Sequence, residues 1–421
     1  MVGGSRVGRR GSVALDPQVK QPCCRQPSSF SWRGVAALSF GHGANDMYMG
    51  FLPALLPAII GNLGLDYKGA GMLISTVTLT SQLSQPALGF AGDRISRRAF
   101  AIVAPAVTAL FMSWLGFVHT YQSLVLLLVA GSMASSAFHP HGAALVNAVA
   151  RQRGSVAMAV FTSGGSLGYG VGSVLAAAIV SRFGFARIWL GLPLGFAAAL
   201  FLAAAVPRSV ESRDRHHQER AALLPDRWLL PLVVLFIVVM LRAATATMFT
   251  TFVPILIGRR GESLLLGGWA IFGFSLAGAV GGLFGGRWSE TVGRRAVTVT
   301  SFLLTAPAFL LFLHTGGVLS AALLLLTGAC LFSALPANIV LGQELVPRHA
   351  STVSGLIMGF AWGIGGLGAT ALGAIADYLS ASMGDVAGLT RAMDLIPIVP
   401  LAAAALSAML PNRPTLAEAG D

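Results

Sequence analysis

The sequence predicts an all-α membrane protein whose twelve transmembrane helices form two pseudo-symmetric six-helix bundles. Three observations lead to this prediction: an apolar composition, twelve long apolar stretches, and a basic signature that occurs twice. Of the 421 residues, 55% are hydrophobic and only 10% are charged, and the mean hydropathy is +0.75. Soluble domains usually carry about 25% charged residues, so a chain of this composition requires a lipid bilayer around it.

The composition also argues against several classes of protein. A net charge of +12 would suggest nucleic acid as the partner of a soluble protein, but here the positive residues lie between apolar stretches. The three cysteines, Cys23, Cys24 and Cys330, have neither disulfide nor metal-ligand spacing. The sequence has no Walker loop, and no Gly-x-Ser-x-Gly elbow or dinucleotide fingerprint in a strand context. We therefore expect no enzymatic activity, no cofactor, no metal and no nucleic-acid partner.

The apolar stretches are long enough to cross a membrane, since a spanning helix needs about 20 mostly apolar residues. They lie near 34–60, 69–91, 99–118, 122–149, 155–181 and 187–206, and again near 229–257, 265–286, 296–314, 318–345, 350–376 and 391–410. The expected organisation is a disordered cytoplasmic tail at 1–32, a bundle at 33–207, a cytoplasmic linker at 208–228, a second bundle at 229–411 and a cytoplasmic tail at 412–421.

The distribution of lysine and arginine predicts the orientation of the chain. If both termini are cytoplasmic, the cytoplasmic segments hold 21 of the 28 Lys and Arg residues and the outer segments hold six. Positive residues accumulate on the cytoplasmic side of membrane proteins. We therefore expect both termini to lie in the cytoplasm.

The basic signature marks an internal duplication. Gly89-Phe-Ala-Gly-Asp-Arg-Ile-Ser-Arg-Arg98 returns as Gly286-Arg-Trp-Ser-Glu-Thr-Val-Gly-Arg-Arg295, an offset of 197 residues. The same offset relates Pro57 to Pro254. Six spans separate equivalent points, so the two halves run parallel and are related by an axis along the membrane normal. Repeats of this kind place a substrate site near the bilayer midplane, between the halves.

The first span carries ionisable side chains, which are costly in a membrane and normally face a cavity. His42 and Asp46 are four residues apart, so they share a helix face and can hydrogen-bond. Asp46 is the proton-carrier candidate, because a partly desolvated carboxyl group can titrate in the working range. His42 is expected to tune Asp46 or to shuttle the proton, and Asn45 lies beside them. The alternative is a structural polar cluster that joins this span to its neighbours.

Arg242 is the one basic residue deep in a predicted span, and it occupies the repeat position of Asn45. We therefore expect Asn45, Asp46 and Arg242 to face one central cavity from opposite halves. The guanidinium can pair with Asp46 at rest and with an anionic substrate group during transport. Protonation of Asp46 would weaken that pair and couple the two events. The alternative is a permanent buried ion pair that holds the halves together.

The fourth span contains Phe138-His139-Pro140-His141, in which the proline is expected to bend the helix. Two histidines suggest a metal site, but no third or fourth ligand has a suitable spacing. His139 and His141 are therefore interpreted as cavity-lining residues. Gln82 in the second span either lines the cavity or joins neighbouring helices by hydrogen bonds.

The basic signature resembles the loop motif of the major facilitator superfamily, and three further segments resemble its fosmidomycin-resistance family. These segments are His42-Gly-Ala-Asn-Asp46 with Pro53 and Pro57, Ser135-Ser-Ala-Phe-His-Pro140, and Gln343-Glu-Leu-Val-Pro347 with the glycine-rich run that ends at Asp377. The resemblance covers residues from about 33 to 413. It implies the major facilitator fold and a secondary transporter of a bacterial inner membrane.

The resemblance also implies roles for the loop residues. In the superfamily, the aspartate and arginines of the motif form cytoplasmic contacts that hold the outward-facing state, which implies gating by Asp93, Arg94 and Arg98. His141 stands where the family often has glutamate, and this departure places more weight on Asp46.

The second copy of the motif departs further from the pattern. Glu290 replaces the expected aspartate and Thr291 replaces an arginine, while Arg294 is kept. The second loop, with Glu290 and Arg294, is therefore expected to contribute less to gating.

These observations predict proton-coupled efflux of small drugs or of anionic and amphiphilic compounds by alternating access, with the proton gradient as the energy source. Twelve spans form a complete transporter, so a monomer should suffice. The nearest alternative is an uptake symporter for an organic anion or metabolite, since one fold supports both directions. A non-transporting membrane sensor is less favoured, because Asp46 and Arg242 are expected to be buried at the repeat interface.

Overall fold

The computed structural model describes residues 31–150, 154–206, 229–346, 353 and 356–412. The two predicted cytoplasmic tails and the predicted linker lie almost entirely outside these residues. Throughout the described part the chain is helical, with short turns between helices. The apolar composition therefore produces the predicted all-α architecture, in which most backbone amides and carbonyls find their partners within their own helix.

The first half of the chain contains six membrane-length segments. A kink at Gly50 divides the first segment into α1 and α2, and short 3₁₀ turns follow α4 and precede α7. The helices are α1 (Trp32–Met49), α2 (Phe51–Leu63), α3 (Tyr67–Arg94), α4 (Arg97–Ser113), α5 (Tyr121–Ala150), α6 (Gly154–Phe183) and α7 (Leu192–Ala205).

The second half repeats this order. Its helices are α8 (Leu229–Arg259), α9 (Leu264–Val292), α10 (Arg294–His314), α11 (Gly317–Leu345), α12 (Ala361–Gly365), α13 (Leu367–Met383), α14 (Asp385–Met393) and α15 (Ile398–Ser407), with a π-helical turn at Leu356–Phe360 before α12. The break between α12 and α13 falls at Gly366, within the glycine-rich run.

Ten helical segments of the described chain are long and apolar enough to cross a membrane. The two remaining predicted spans, near 69–91 and 350–376, correspond to α3 and to the broken segment of π-turn, α12 and α13. Serine, threonine and glutamine lower the hydropathy of α3, and the glycine break shortens the helices of the other segment. These two segments pack against each other, so their polar faces lie between the two halves rather than against lipid.

Small residues allow α1 and α6 to pack with their backbones almost in contact. Gly43 lies against Gly164 and Gly168, and Gly172 lies against the backbone of Met47. A side chain at any of these positions would collide with backbone, which cannot move aside as a flexible side chain can. The glycines thereby hold α1, which carries the ionisable residues, against α6.

Replacement of Gly172 by valine is expected to destabilise the first bundle. The new Cβ would collide with the backbone oxygen of Met47, and overpacking of this kind costs about 1–3 kcal/mol or more. Thermal unfolding of the purified protein in detergent should show a lower midpoint. Gly61→Val is the matched control, because open space surrounds Gly61. An equal loss of stability in both variants would contradict this interpretation of the packing.

Candidate functional site

The centre of the first bundle contains an acid–histidine pair on α1. His42 and Asp46 lie one helical turn apart, with Nε2 of His42 3.2 Å from Oδ2 of Asp46. Their side chains are 9% and 18% exposed. The predicted i, i+4 contact is therefore formed, and it lies in an almost enclosed position.

A second histidine joins this pair from α5. Nε2 of His139 lies 3.7 Å from Oδ1 of Asp46, and its ring meets that of His42 edge to face at 5.2 Å between centroids. Two histidines thus flank the two oxygens of one carboxylate. We refer to His42, Asp46 and His139 as the carboxylate–histidine cluster.

Asn45 fixes the position of the Asp46 carboxylate. Its Nδ2 donates to Oδ1 of Asp46 at 3.0 Å and to Oγ of Ser135 at 2.8 Å, and its Oδ1 accepts from Oγ1 of Thr108 at 3.2 Å. The completely buried amide therefore ties α1 to α4 and α5. Asn45 thus acts on Asp46 by orientation and hydrogen bonding.

Residues of α6 complete the surroundings of His42. Its ring stacks on that of Phe161, and Nδ1 of His42 donates to the backbone oxygen of Phe161 at 2.8 Å. Gly165 leaves the space that the cluster fills, since a Cβ there would lie 2.6 Å from Nε2 of His42 and 2.8 Å from Oδ2 of Asp46. Phe161 and Gly165 are site residues that no motif or charge in the sequence indicates. The sequence feature that could have indicated this part of the site is the Gly164-Gly165 pair of α6, which lies opposite α1.

The second bundle has a cationic and aromatic centre at the equivalent place. Arg242 on α8 is completely buried, and its guanidinium lies over the rings of Trp362 at 5.0 Å and Phe332 at 5.5 Å. With the 197-residue offset, Arg242, Phe332 and Trp362 correspond to Asn45, Ser135 and Gly165. The two repeats therefore carry side chains of opposite charge at this place: a carboxylate in the first half and a guanidinium in the second.

The pairing of Arg242 with Asp46 that the sequence analysis expected is not formed in this structure. The oxygens of Asp46 face His42, His139 and Asn45. Each of the three guanidinium nitrogens of Arg242 is buried and has no hydrogen-bond partner among the described residues. The reason is the direction of the side chain: Arg242 extends between α11 and α12 within its own bundle, as Asn45 does between α4 and α5.

The remaining predicted pathway residues lie apart from the cluster. Nε2 of His141 lies 3.1 Å from the backbone oxygen of Leu88, and its ring packs on Phe100. Its side chain therefore joins α5 to α3 rather than approaching Asp46. Gln82 accepts a hydrogen bond from Gln85 and lies against Gly363 of the second half, so it is an interface residue.

The first signature loop forms contacts within its own half. Asp93 pairs with Arg97 at 2.6 Å, and Arg98 donates to the backbone oxygens of Val206 and Ala203 at 2.8 and 2.6 Å. Arg94 lies over the ring of Phe90. We call the side of the molecule that carries the two signature loops the motif face.

The second signature loop is held from within the second half. Arg294 pairs with Glu344 at 3.1 Å and donates to Oγ of Ser289. Glu290 is exposed at the end of α9. Arg295, the repeat equivalent of Arg98, donates to the backbone oxygen of Leu410 at 3.5 Å, so both copies bond backbone oxygens near the end of a helix. The copies differ in their ion pairs: Arg97 pairs with Asp93 of its own loop, whereas Arg294 pairs with Glu344 of α11.

The two halves are joined by polar contacts at the other side of the molecule, here called the opposite face. The carboxylate of Asp377 in α13 accepts the backbone N–H groups of Tyr67 and Lys68, both at 2.8 Å. The hydroxyl of Tyr67 donates to Asp385, which also pairs with Arg259 at 3.2 Å. Because a helix N-terminus attracts negative charge, Asp377 caps α3 across the boundary between the halves.

Replacement of Asp377 by alanine is expected to open the opposite face. The variant loses two hydrogen bonds to a carboxylate at a partly exposed position, which are worth about 1 kcal/mol or roughly a fivefold shift in the population of the closed form. Distance distributions between spin labels on the two halves at this face should become longer. Asp66→Ala is the matched control, since Asp66 caps the same helix from within its own half. Equal distributions in both variants would contradict the expected role of Asp377.

Comparison with known proteins gives consistent matches. A family model described as the Major Facilitator Superfamily matches residues 38–370. The fosmidomycin resistance protein of Escherichia coli (strain K12) is 30% identical over 373 residues, which are 82% of this chain and 87% of that protein. The uncharacterised MFS-type transporter YfnC of Bacillus subtilis (strain 168) is 25% identical over 418 residues, 96% of this chain and 99% of that protein.

Comparison with solved structures shows the same fold in other transporters. A crystal structure of a bacterial homolog to the human lysosomal transporter Spinster, in an inward-facing and occupied conformation, matches with a TM-score of 0.76 at 15% identity. The match covers 91% of this chain and 97% of that one. The family model and the sequence relatives place the chain among multi-pass membrane transporters rather than enzymes. This chain belongs to the major facilitator superfamily, which confirms the predicted resemblance.

Proposed function

We propose that the chain exports small drugs or anionic and amphiphilic compounds in exchange for protons. The observation that carries this proposal is the buried guanidinium of Arg242, which lies between two aromatic rings without a hydrogen-bond partner among the described residues. A buried charge of this kind is costly unless it is paired, so it is typical of a ligand site. An anionic group that enters the second bundle supplies the missing acceptors, and the rings accommodate an apolar part of the same compound.

The proton-coupling part of the proposal is assigned to the first bundle. The carboxylate of Asp46 lies within α1 and retains 18% side-chain exposure, and two histidines and one amide surround it. Protonation there would alter the contacts between α1 and α5, while the anion would bind between α8, α11 and α12. In this proposal, coupling results from movement of the two bundles and does not require direct pairing of Asp46 with Arg242.

The proposed orientation in a bacterial inner membrane has both termini and the motif face in the cytoplasm, as the positive residues indicate. The polar contacts of Asp377 and Asp385 would then close the outer side. Export is favoured over uptake by the similarity to a protein named for fosmidomycin resistance. We propose that the monomer is the functional unit.

Transport by oriented proteoliposomes tests the proposal. Purified protein is reconstituted with a pH-sensitive dye inside, and candidate anionic and amphiphilic compounds are added on one side. Antiport predicts that compound and protons move in opposite directions, whereas an uptake symporter moves them together. If no tested compound crosses the membrane or causes proton movement, while a partner protein binds the chain, the sensor alternative is favoured.

A further inference from the structure

Three ionisable side chains converge from two helices with the spacing of metal ligands. One ligand atom from each of His42, Asp46 and His139 lies within 4.8 Å of the others. Nε2 of His42 lies 3.2 Å from Oδ2 of Asp46, and Nε2 of His139 lies 3.7 Å from the other carboxylate oxygen, Oδ1. In a tetrahedral zinc site with bonds of about 2.0–2.1 Å, neighbouring ligand atoms lie about 3.4 Å apart. This cluster cannot be recognised from spacing along the sequence, because the carboxylate and one histidine come from α1 and the other histidine comes from α5.

The tautomer of His42 is fixed by its surroundings. The backbone oxygen of Phe161 can only accept, so Nδ1 of His42 carries the hydrogen of that 2.8 Å contact. The Nε2 atom of the neutral ring therefore directs a lone pair at the carboxylate of Asp46. Two acceptors that face each other require a cation between them, either a proton or a metal ion. A carbonyl partner on the second ring nitrogen is also the arrangement that orients histidine ligands in metal sites.

The cluster combines support from neighbouring groups with access for an ion. Asn45 donates to Oδ1 of Asp46 and so orients the carboxylate, as second partners do around metal-binding carboxylates. The side chains of Asp46 and His139 retain 18% and 28% exposure, so an ion can enter and keep a water as its fourth ligand. Two imidazoles with one carboxylate suit Zn²⁺ or Co²⁺, whereas Mg²⁺ prefers oxygen ligands only.

We propose that His42, Asp46 and His139 form a binding site for a divalent transition-metal ion such as Zn²⁺. The ion bridges α1 and α5 and neutralises the carboxylate of Asp46. The ion therefore competes with the transported proton. This competition rests on the proposed proton coupling, whereas binding of the metal ion does not depend on it.

Calorimetric titration of the purified full chain, without an affinity tag and in detergent, tests the site. We expect one Zn²⁺ per chain to bind in wild type, MgCl₂ to give no saturable heat, and His139→Gln to weaken Zn²⁺ binding at least about tenfold. His119→Gln is the matched control, since His119 is exposed outside the cluster, and it should bind as wild type does. Thermal unfolding without metal identifies any variant that has not folded.

Two results would overturn the proposal: no saturable Zn²⁺ binding in wild type, or equal affinity in wild type and folded His139→Gln. His42→Gln provides a second measurement, with the same expected direction. Because the titration uses no membrane and no gradient, failure of the proposed proton-coupled efflux would leave its outcome unchanged. Conversely, if the chain exports compounds in exchange for protons but binds no Zn²⁺, the cation between His42 and Asp46 is a proton alone.

Discussion

Arg242→Gln is expected to abolish transport of anionic compounds. The substitution keeps a polar but shorter side chain and removes the charge and most of the donors that would meet an anion. Loss of one partner from a buried, hydrogen-bonded charge pair costs about 2–5 kcal/mol, which corresponds to at least about a 30-fold loss of affinity. Binding measured by calorimetry and uptake by proteoliposomes should decrease together.

Arg242→Lys and Arg242→Met distinguish a ligand site from a structural cation. Lysine keeps the charge but not the planar fork, so partial binding should remain. Methionine removes donors that have no partner among the described residues, so the ligand-free variant should unfold at a higher temperature than wild type. If Arg242→Met lowered the unfolding temperature and still transported anions, the guanidinium would be structural and the anion site would be excluded.

Asp46→Asn is expected to abolish transport driven by a proton gradient while leaving substrate exchange intact. The amide has the shape of the carboxyl group and can donate to Nε2 of His42, so it imitates the protonated cluster permanently. A cluster that cannot release its proton cannot couple substrate movement to the gradient. Exchange of labelled for unlabelled compound across the membrane requires no net proton movement and should continue at a rate similar to that of wild type.

Both activities have to be measured in the same proteoliposomes. Asp66→Asn is the control, because Asp66 is an aspartate that caps α3 at the opposite face and asparagine caps helices equally well. Gradient-driven accumulation at the wild-type level in Asp46→Asn would exclude Asp46 as the proton carrier. Loss of exchange as well as accumulation would indicate a structural role for the carboxylate.

The repeat offset predicted where the important backbone positions lie, but not the partners of their side chains. Asn45 and Arg242 do occupy equivalent places in the two bundles. Their equivalence fixes the direction of each side chain into its own bundle, and this direction separates Arg242 from Asp46. Equal depth in the membrane favours a direct pair, but rotation about the helix axis turns the two side chains into different bundles.

The histidines of α5 show the same limit. His139 and His141 are two residues apart, which is about 200° around a helix, so they point to different neighbours. His139 meets Asp46 and His141 meets the backbone of Leu88. The spacing excluded a shared site for these two residues, but it could not show which residue of another helix would join either of them.

The sequence by itself determined the helical membrane fold, the duplication and the residues in which chemistry is concentrated, because apolar length and repeated motifs are properties of the chain. Only the tertiary structure decided the grouping of His139 with His42 and Asp46, the isolation of Arg242 between Phe332 and Trp362, and the closure of the opposite face by Asp377. The physical reason is that these contacts depend on helix rotation and on close approach at glycines. Both are fixed by packing between segments that are far apart in sequence.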